Sequence, residues 1–315
     1  MPLPGILGGV DAMATSVPAA GMGSSAEADT LVDAALDPHY VARVVAAALA
    51  EDVGPGDVTT LAVVPLDANC RAHLRTRAAG VPAGLPVAIE AFRQLDPALE
   101  ITEHARDGAP MQPGERLLSI TGRARPILTA ERVALNFVQR LSGIATLTAR
   151  YVEAVRGTRA RIFDTRKTTP GLRLLEKYAV RVGGGSNHRF GLFDGVLIKD
   201  NHIVAAGGVA KAVRAARRAA PHSLRIEVET ETLDEVREAL AAGADAILLD
   251  NMPPDTLRRA VALIGGRVVV EVSGGVTLAT VRGIAEAGVD LISVGALTHS
   301  APALDLGLDF ALEGV

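Results

Sequence analysis

Leu224-Arg225-Ile226-Glu227-Val228-Glu229, Ala246-Ile247-Leu248-Leu249-Asp250, Val268-Val269-Val270-Glu271-Val272-Ser273-Gly274-Gly275 and Leu291-Ile292-Ser293-Val294-Gly295 decide the fold. Each is a short apolar run that ends on a polar or small residue, and the run ends recur about twenty residues apart. Helical patterns lie between and after them, over Leu233 to Ala242, Pro254 to Ile264 and Leu278 to Ala287. Strands that alternate with helices make a parallel sheet. Working outward, the same alternation extends back to Arg161 to Asp164 and Val196 to Ile198 as strands, and to Gly171 to Val182 and Ala205 to Ala219 as helices. About six strands result. The first expectation is a closed parallel α/β barrel with fewer strands than the usual eight, and the second an open doubly wound sheet.

Upstream the pattern is different. Asp37 and Pro38 open a helix to about Ala50, as an N-cap and a proline at the first helical position. Glu51 to Asp57 is a turn-rich loop, and Cys70 to Ile120 mixes short strands, turns and a helix near Val87 to Leu95, which reads as a small α+β domain. A long helical stretch from about Thr129 to Val155, expected to break near Ser142-Gly143, leads to a boundary at Arg156-Gly157-Thr158. The domains expected are a poorly ordered tail over 1–36, a small domain over 37–156 and the barrel over 157–315.

Nearly every barrel strand ends in chemistry. The ends are Asp164-Thr165-Arg166-Lys167, Lys199-Asp200-Asn201-His202, Glu229, Asp250-Asn251, Ser273-Gly274-Gly275 and Gly295. C-terminal strand ends share one face of a parallel barrel, and that face carries the active site. Arg166, Lys167, Arg189 and Lys199, with His188 beside them, suit a ligand with several negative charges, because guanidinium forks pair both oxygens of a carboxylate or phosphate. Paired surface charges are the plainer alternative for each cation taken singly. Ser273-Gly274-Gly275 and Gly295-Ala296 follow strands and bring small residues where backbone N–H groups could hold a phosphate, or simply make tight turns. Glu229 and Asp250 are acids opposite the cations, able to hold hydroxyls, meet Mg²⁺ through water or face a developing positive charge, if they are not merely structural. His188 and His299 are candidate hydrogen-bonding groups. The seven histidines show no metal spacing, so no metal site built by the protein alone is expected. Arg132, on the long helix, reads as solvent-exposed from its neighbours alone.

The bulk numbers narrow the class. The 315 residues are 49% hydrophobic with a formal charge of -4, enough for a real core and without the basic field that holds nucleic acid. No apolar run is long enough to span a membrane. One cysteine, Cys70, allows no internal disulfide and fits a cytosolic protein. The stretch from Met1 to about Thr30 has neither the basic start of a secretory signal nor the arginines of a transit peptide.

Thr165-Arg166-Lys167-Thr168-Thr169-Pro170-Gly171-Leu172-Arg173, Gly184-Gly185-Ser186-Asn187-His188-Arg189 and Leu197-Ile198-Lys199-Asp200-Asn201-His202 resemble signatures of the quinolinate phosphoribosyltransferase family. Glu51 to Thr60, Ala130 to Asn136, Leu141 to Thr146, Glu227-Val228-Glu229, Leu249-Asp250-Asn251 and Ser273-Gly274-Gly275 resemble further motifs, so the likeness runs from about Pro38 to the C-terminus. The resemblance implies an incomplete, six-stranded-type α/β barrel joined to an N-terminal α/β sandwich domain. It implies transfer of phosphoribosyl from phosphoribosyl pyrophosphate (PRPP) to quinolinate with loss of CO₂, giving nicotinate mononucleotide and pyrophosphate, with Mg²⁺ accompanying PRPP near Glu229 and Asp250. It further implies a head-to-tail homodimer, with larger assemblies left open, in which Arg132 reaches the partner's site.

On this resemblance Arg132, Arg166, Arg189 and Lys199 hold the two carboxylates with Thr165 and His188 nearby, and Lys167 and Lys199 meet the leaving pyrophosphate. Glu229 and Asp250 bind ribose hydroxyls and face the oxocarbenium-like centre, while Ser273, Gly274, Gly275, Val294, Gly295, Ala296 and His299 surround the 5′-phosphate. The competing readings are a related protein of molybdenum transport or a nicotinate-specific enzyme, a Schiff-base aldolase using Lys199, and a barrel that only binds phosphorylated ligands.

Overall fold

The structure is a computed structural model and describes residues 36–312. The tail expected over 1–36 lies outside the described residues except for Leu36.

Helix α1 (Pro38–Val53) starts where Asp37 accepts the His39 N–H, and it buries Val41, Val45 and Leu49 at four-residue spacing. A short helix α2 (Val58–Val63) follows, its N-cap Asp57 bonded to the Thr60 N–H. Strand β1 (Asn69–Thr76) alternates in burial as one face of a sheet demands, with Cys70, Ala72, Leu74 and Thr76 inward. Helix α3 (Leu85–Leu95), β2 (Glu100–Glu103) and β3 (Arg116–Arg123) complete this part of the chain.

Helix α4 (Ala124–Ala154) then runs for 31 residues without interruption. The break expected at Ser142-Gly143 is absent, because small residues there serve close packing. The Ser142 hydroxyl accepts the Ala83 N–H, and a Cβ on Gly143 would lie 2.0 Å from the Pro302 carbonyl oxygen.

The barrel elements are β4 (Arg161–Phe163), α5 (Arg173–Val182), β5 (Val196–Ile198), α6 (Asp200–Ala206), α7 (Val209–Ala219), β6 (Ile226–Thr230), α8 (Leu233–Ala242), β7 (Ala246–Asp250), α9 (Pro254–Ile264), β8 (Val269–Ser273), α10 (Val281–Glu286), β9 (Leu291–Ser293) and α11 (Ala296–His299). The expected helix over Ala205 to Ala219 is two helices, divided by Gly207 and Gly208 at positive φ. Every pairing in this sheet is parallel, in the order β4-β9-β8-β7-β6-β5. That order is a six-membered ring opened between β4 and β5. An open doubly wound sheet would reverse direction about its first strand. At the opening, Ser186 makes a lone parallel bridge to Phe163.

A last strand, β10 (Leu306–Leu312), leaves the barrel and pairs with β1. It completes a four-stranded antiparallel sheet in the order β10-β1-β3-β2. Residues 306–312, expected with the barrel, therefore belong to the first sheet. The C-terminal ends of β4–β9 remain clear of this sheet and carry the candidate site.

Candidate active site

A cavity of about 450 Å³ opens at those strand ends, lined in part by Thr165, Arg166, Lys167, His188, Arg189, Lys199, Glu229, Asp250, Ser273 and Gly274. Ten of the residues singled out in the sequence thus share one wall-to-wall space. The period-two geometry of strands explains why: Glu229, Asp250 and Ser273 all project to the barrel interior at or next to the last turn of their strands.

Burial and the neighbouring Arg166 charge lower the Arg189 pKa, and Arg189 donates to the Gly195 carbonyl at 3.0 Å. The Arg166 Nε is buried with no hydrogen-bond partner among the described residues. A buried guanidinium nitrogen without a partner, beside a second guanidinium group, favours a bound anion. Lys199 ends β5, caps α6 and forms an ion pair with Glu229. Its backbone N–H is taken by His202 Nδ1, which assigns His202 to the helix cap.

The glycine loop after β8 needs its glycines. Gly274 has φ of 88°, and a Cβ there would meet the Asn251 side chain at 2.3 Å. Asn251, itself at φ 50°, donates to Asp250 at 2.9 Å. The helix expected over Leu278 to Ala287 starts later, at Val281, so Gly274 and Gly275 are separated from it by several residues. After β9, the Val294 N–H donates to the Phe163 carbonyl and its side chain is buried, so that amide cannot serve a phosphate. Gly295 lies against Lys167 and His299, whose side-chain atoms come within 3.1–3.2 Å of where a Cβ would stand. Gly275, Val294, Gly295, Ala296 and His299 lie outside the cavity lining, as does the exposed Arg132.

Three groups beneath the cations escaped the sequence reading. His188 Nε2 lies 3.2 Å from Glu227 and 3.5 Å from Glu271, and Ser293 donates to Glu271. Period two was the available signal, since Glu227, Glu271 and Ser293 each stand two residues before a position already singled out. Burial works against a charge on His188, but its bonds to Glu227 and Glu271 prevail and raise its pKa to about 10. Burial pushes Glu227 up to about 7. Burial also acts to raise Glu271, yet the His188 and Ser293 bonds hold it low. His188, Glu227 and Glu271 therefore share one extra proton, best described as belonging to this trio as a group. The Arg189 N–H points at His188 Nδ1 at 2.8 Å, so the ring carries its one proton on Nε2 towards the carboxylates, and the raised value belongs to the proton that the group shares and not to a second proton on Nδ1. A metal bound at Nε2 would need that proton on Nδ1 instead, so this cluster suits a proton better than an ion.

The family description "Quinolinate phosphoribosyl transferase, C-terminal domain" matches residues 144–309, and the corresponding N-terminal domain matches residues 57–142. The chain belongs to the quinolinate phosphoribosyltransferase family. It is similar to the Bacillus subtilis protein named "Probable nicotinate-nucleotide pyrophosphorylase [carboxylating]", with 47% identity over 263 residues, 84% of this chain and 91% of that one. It is also similar to the mitochondrial quinolinate phosphoribosyltransferase [decarboxylating] 2 of Nicotiana glauca, 45% identical over 296 residues, 88% of this chain and 84% of that one. Among solved structures, NadC from Streptococcus pyogenes superposes with a TM-score of 0.86 at 44% identity, covering 89% of this chain and 99% of that chain.

Proposed function

We propose that the cavity binds quinolinate and PRPP together and transfers the phosphoribosyl group with decarboxylation. The observation that carries this reading is a single cavity whose wall includes the cations Arg166, Lys167, Arg189 and Lys199 together with Glu229, Asp250 and Gly274. Quinolinate brings two adjacent carboxylates and PRPP brings phosphates at both ends, so both need such a wall. Arg166 and Arg189 pair the carboxylates. Thr165 and His188 flank that pocket. Lys167 and Lys199 meet the pyrophosphate. The ring nitrogen forms the bond to the ribose carbon as the bond to pyrophosphate breaks. Glu229 and Asp250 hold ribose hydroxyls and stabilise the positive charge that develops between those events. CO₂ then leaves, the electron pair of the breaking carbon–carboxylate bond stays on the ring carbon, where the adjacent pyridinium charge stabilises it, and that carbon takes a proton. Positioning and charge do the work, with no covalent nucleophile.

The carboxylates of Glu229 and Asp250 are also the donor type that Mg²⁺ takes when it arrives on a diphosphate, and they fit that role. Bound there, Mg²⁺ would neutralise charge on the leaving group. Ser273, Gly274, Gly275, Gly295, Ala296 and His299 form the rim assigned to the 5′-phosphate. A reducing compartment such as the cytosol fits the single buried thiol of Cys70.

Arg132 is assigned to the site of a second subunit in a homodimer. Exposed apolar side chains support an assembly, with Val58, Leu61, Val63 and Leu66 on and just after α2, and Leu192, Phe193 and Val204 in the barrel part of the chain. Arg132→Ala is expected to be inactive alone and to regain activity when mixed with inactive Lys199→Ala, because mixed dimers contain one intact site. No rescue despite proven subunit exchange would remove Arg132 from a shared site. For the reaction itself, single-turnover release of labelled CO₂ from quinolinate with PRPP is the test. No release with both ligands bound, or equal use of nicotinate, would overturn the reading.

A further inference from the structure

The gap between β4 and β5 is bridged by the segment from Gly183 to Asp194, which carries His188 and Arg189 into the cavity. Under this segment lies an ion pair with no exposure to solvent. Asp164, just past β4, accepts from Lys177 Nζ of α5 at 2.5 Å. The same Asp164 oxygen accepts the His188 N–H at 2.8 Å, and its other oxygen accepts from Asn187 Nδ2 at 2.6 Å. Lys177 also donates to the His188 carbonyl at 3.0 Å, and Asn187 donates to the Lys177 carbonyl at 2.9 Å. The His188 backbone is therefore gripped by an anion on one side and a cation on the other. The Phe190 ring, 5.0 Å from the Lys177 ammonium, closes the cluster.

Such a pair is a poor way to gain stability. Burial acts to raise Asp164 and to lower Lys177, against both charges. Apolar side chains of similar size in such places are often as stable or more so. What the pair supplies and apolar residues could not is a fixed backbone position: two charge-assisted bonds to one peptide at the place where the strand ladder is missing. The phosphate-side loops at Ser273–Gly275 and Val294–Ala296 make none of these contacts.

We infer that Asp164, Lys177 and Asn187 are positioning residues that set His188 and Arg189 for the dicarboxylate acceptor, and that they act on acceptor binding rather than on PRPP. The inference rests on the proposed reaction. Its test is the double variant Asp164→Leu/Lys177→Met, which removes both charges together and keeps similar volume. Thermal unfolding and steady-state turnover are measured with each substrate varied in turn. The expected result is a folded protein with a thermal midpoint near that of the parent, a KM for quinolinate raised at least tenfold and a KM for PRPP within twofold of the parent. A purely structural role would move stability or both KM values together.

An active parent with a double variant whose quinolinate KM is unchanged overturns the inference alone. A parent with no turnover overturns the proposed reaction and the inference with it. Should the double variant fail to fold, Asn187→Ala decides: a selective rise in quinolinate KM supports the inference, and equal effects on both substrates or none overturn it.

Discussion

Adding one methyl group at Gly143 sets a local gain against a tertiary clash. Gly143 lies mid-helix in α4, where alanine is favoured by about 1 kcal/mol. Its Cβ would stand 2.0 Å from the Pro302 oxygen, 3.0 Å from the Pro302 carbonyl carbon and 3.2 Å from Ala303 Cα. All three are backbone atoms, so no side chain can swing away. To restore ordinary contact the 302–303 segment must retreat by roughly 1.4 Å. That segment is tied down on both sides: Arg140 donates to the Ala301 carbonyl at 3.1 Å, and the Leu304 N–H donates to the Gln139 carbonyl at 2.9 Å. Overpacking costs about 1–3 kcal/mol and each strained tether about 1 kcal/mol more. The net expectation is a destabilisation of roughly 2–4 kcal/mol for Gly143→Ala after the helix gain, read as a lower urea midpoint by circular dichroism. Because the segment continues from α11, which begins beside Gly295, the KM for PRPP should rise as well. A variant with an unchanged or higher midpoint would show that the Cβ fits, and would refute the close-packing account of Ser142-Gly143.

Stability should fall as pH rises above about 6.5. His188 has a raised pKa, so its contribution is complete below the free-histidine value of 6.5 and is lost as pH climbs towards about 10. The limiting slope is about 1.4 kcal/mol per pH unit, and a flat urea-unfolding profile from pH 6.5 to 9 would contradict the trio's extra proton. Lys199→Met should lower kcat by roughly a hundredfold or more, since it removes a cation from the cavity and leaves Glu229 without its partner. A loss below fivefold would exclude Lys199 from the chemistry. Removing divalent ions with a chelator should stop turnover and adding Mg²⁺ should restore it, while turnover that persists in chelator would count against a Mg²⁺–PRPP substrate.

The barrel was legible because its strands are short, apolar and evenly spaced, and because each ends in a residue that the fold places on one face. Lys199, Glu229, Asp250 and Ser273 followed from that register alone. Glu227 and Glu271 did not, although they occupy the same inner face. Two acids inside a barrel contradict the expectation of an apolar interior, and only their shared contact with His188 makes sense of them. Asp164 differs in the opposite direction. It stands at a strand end like the others, yet its side chain turns under the 183–194 segment and never reaches the cavity. Sequence spacing gives the residue's position on β4 but not the direction its carboxylate takes. The Ser142-Gly143 pair failed for a related reason: small residues look like a helix break until the segment that packs against them, 160 residues later in the chain, is known.

The return of β10 to β1 makes the order of synthesis matter. β1 lies between β10 and β3, so until residues 306–312 leave the ribosome one of its edges lacks the β10 partner. The first sheet is thus begun before the barrel and finished only after it. The nascent chain must hold an open, β-prone edge through the synthesis of the whole barrel, a window in which a chaperone or a second nascent chain could occupy it.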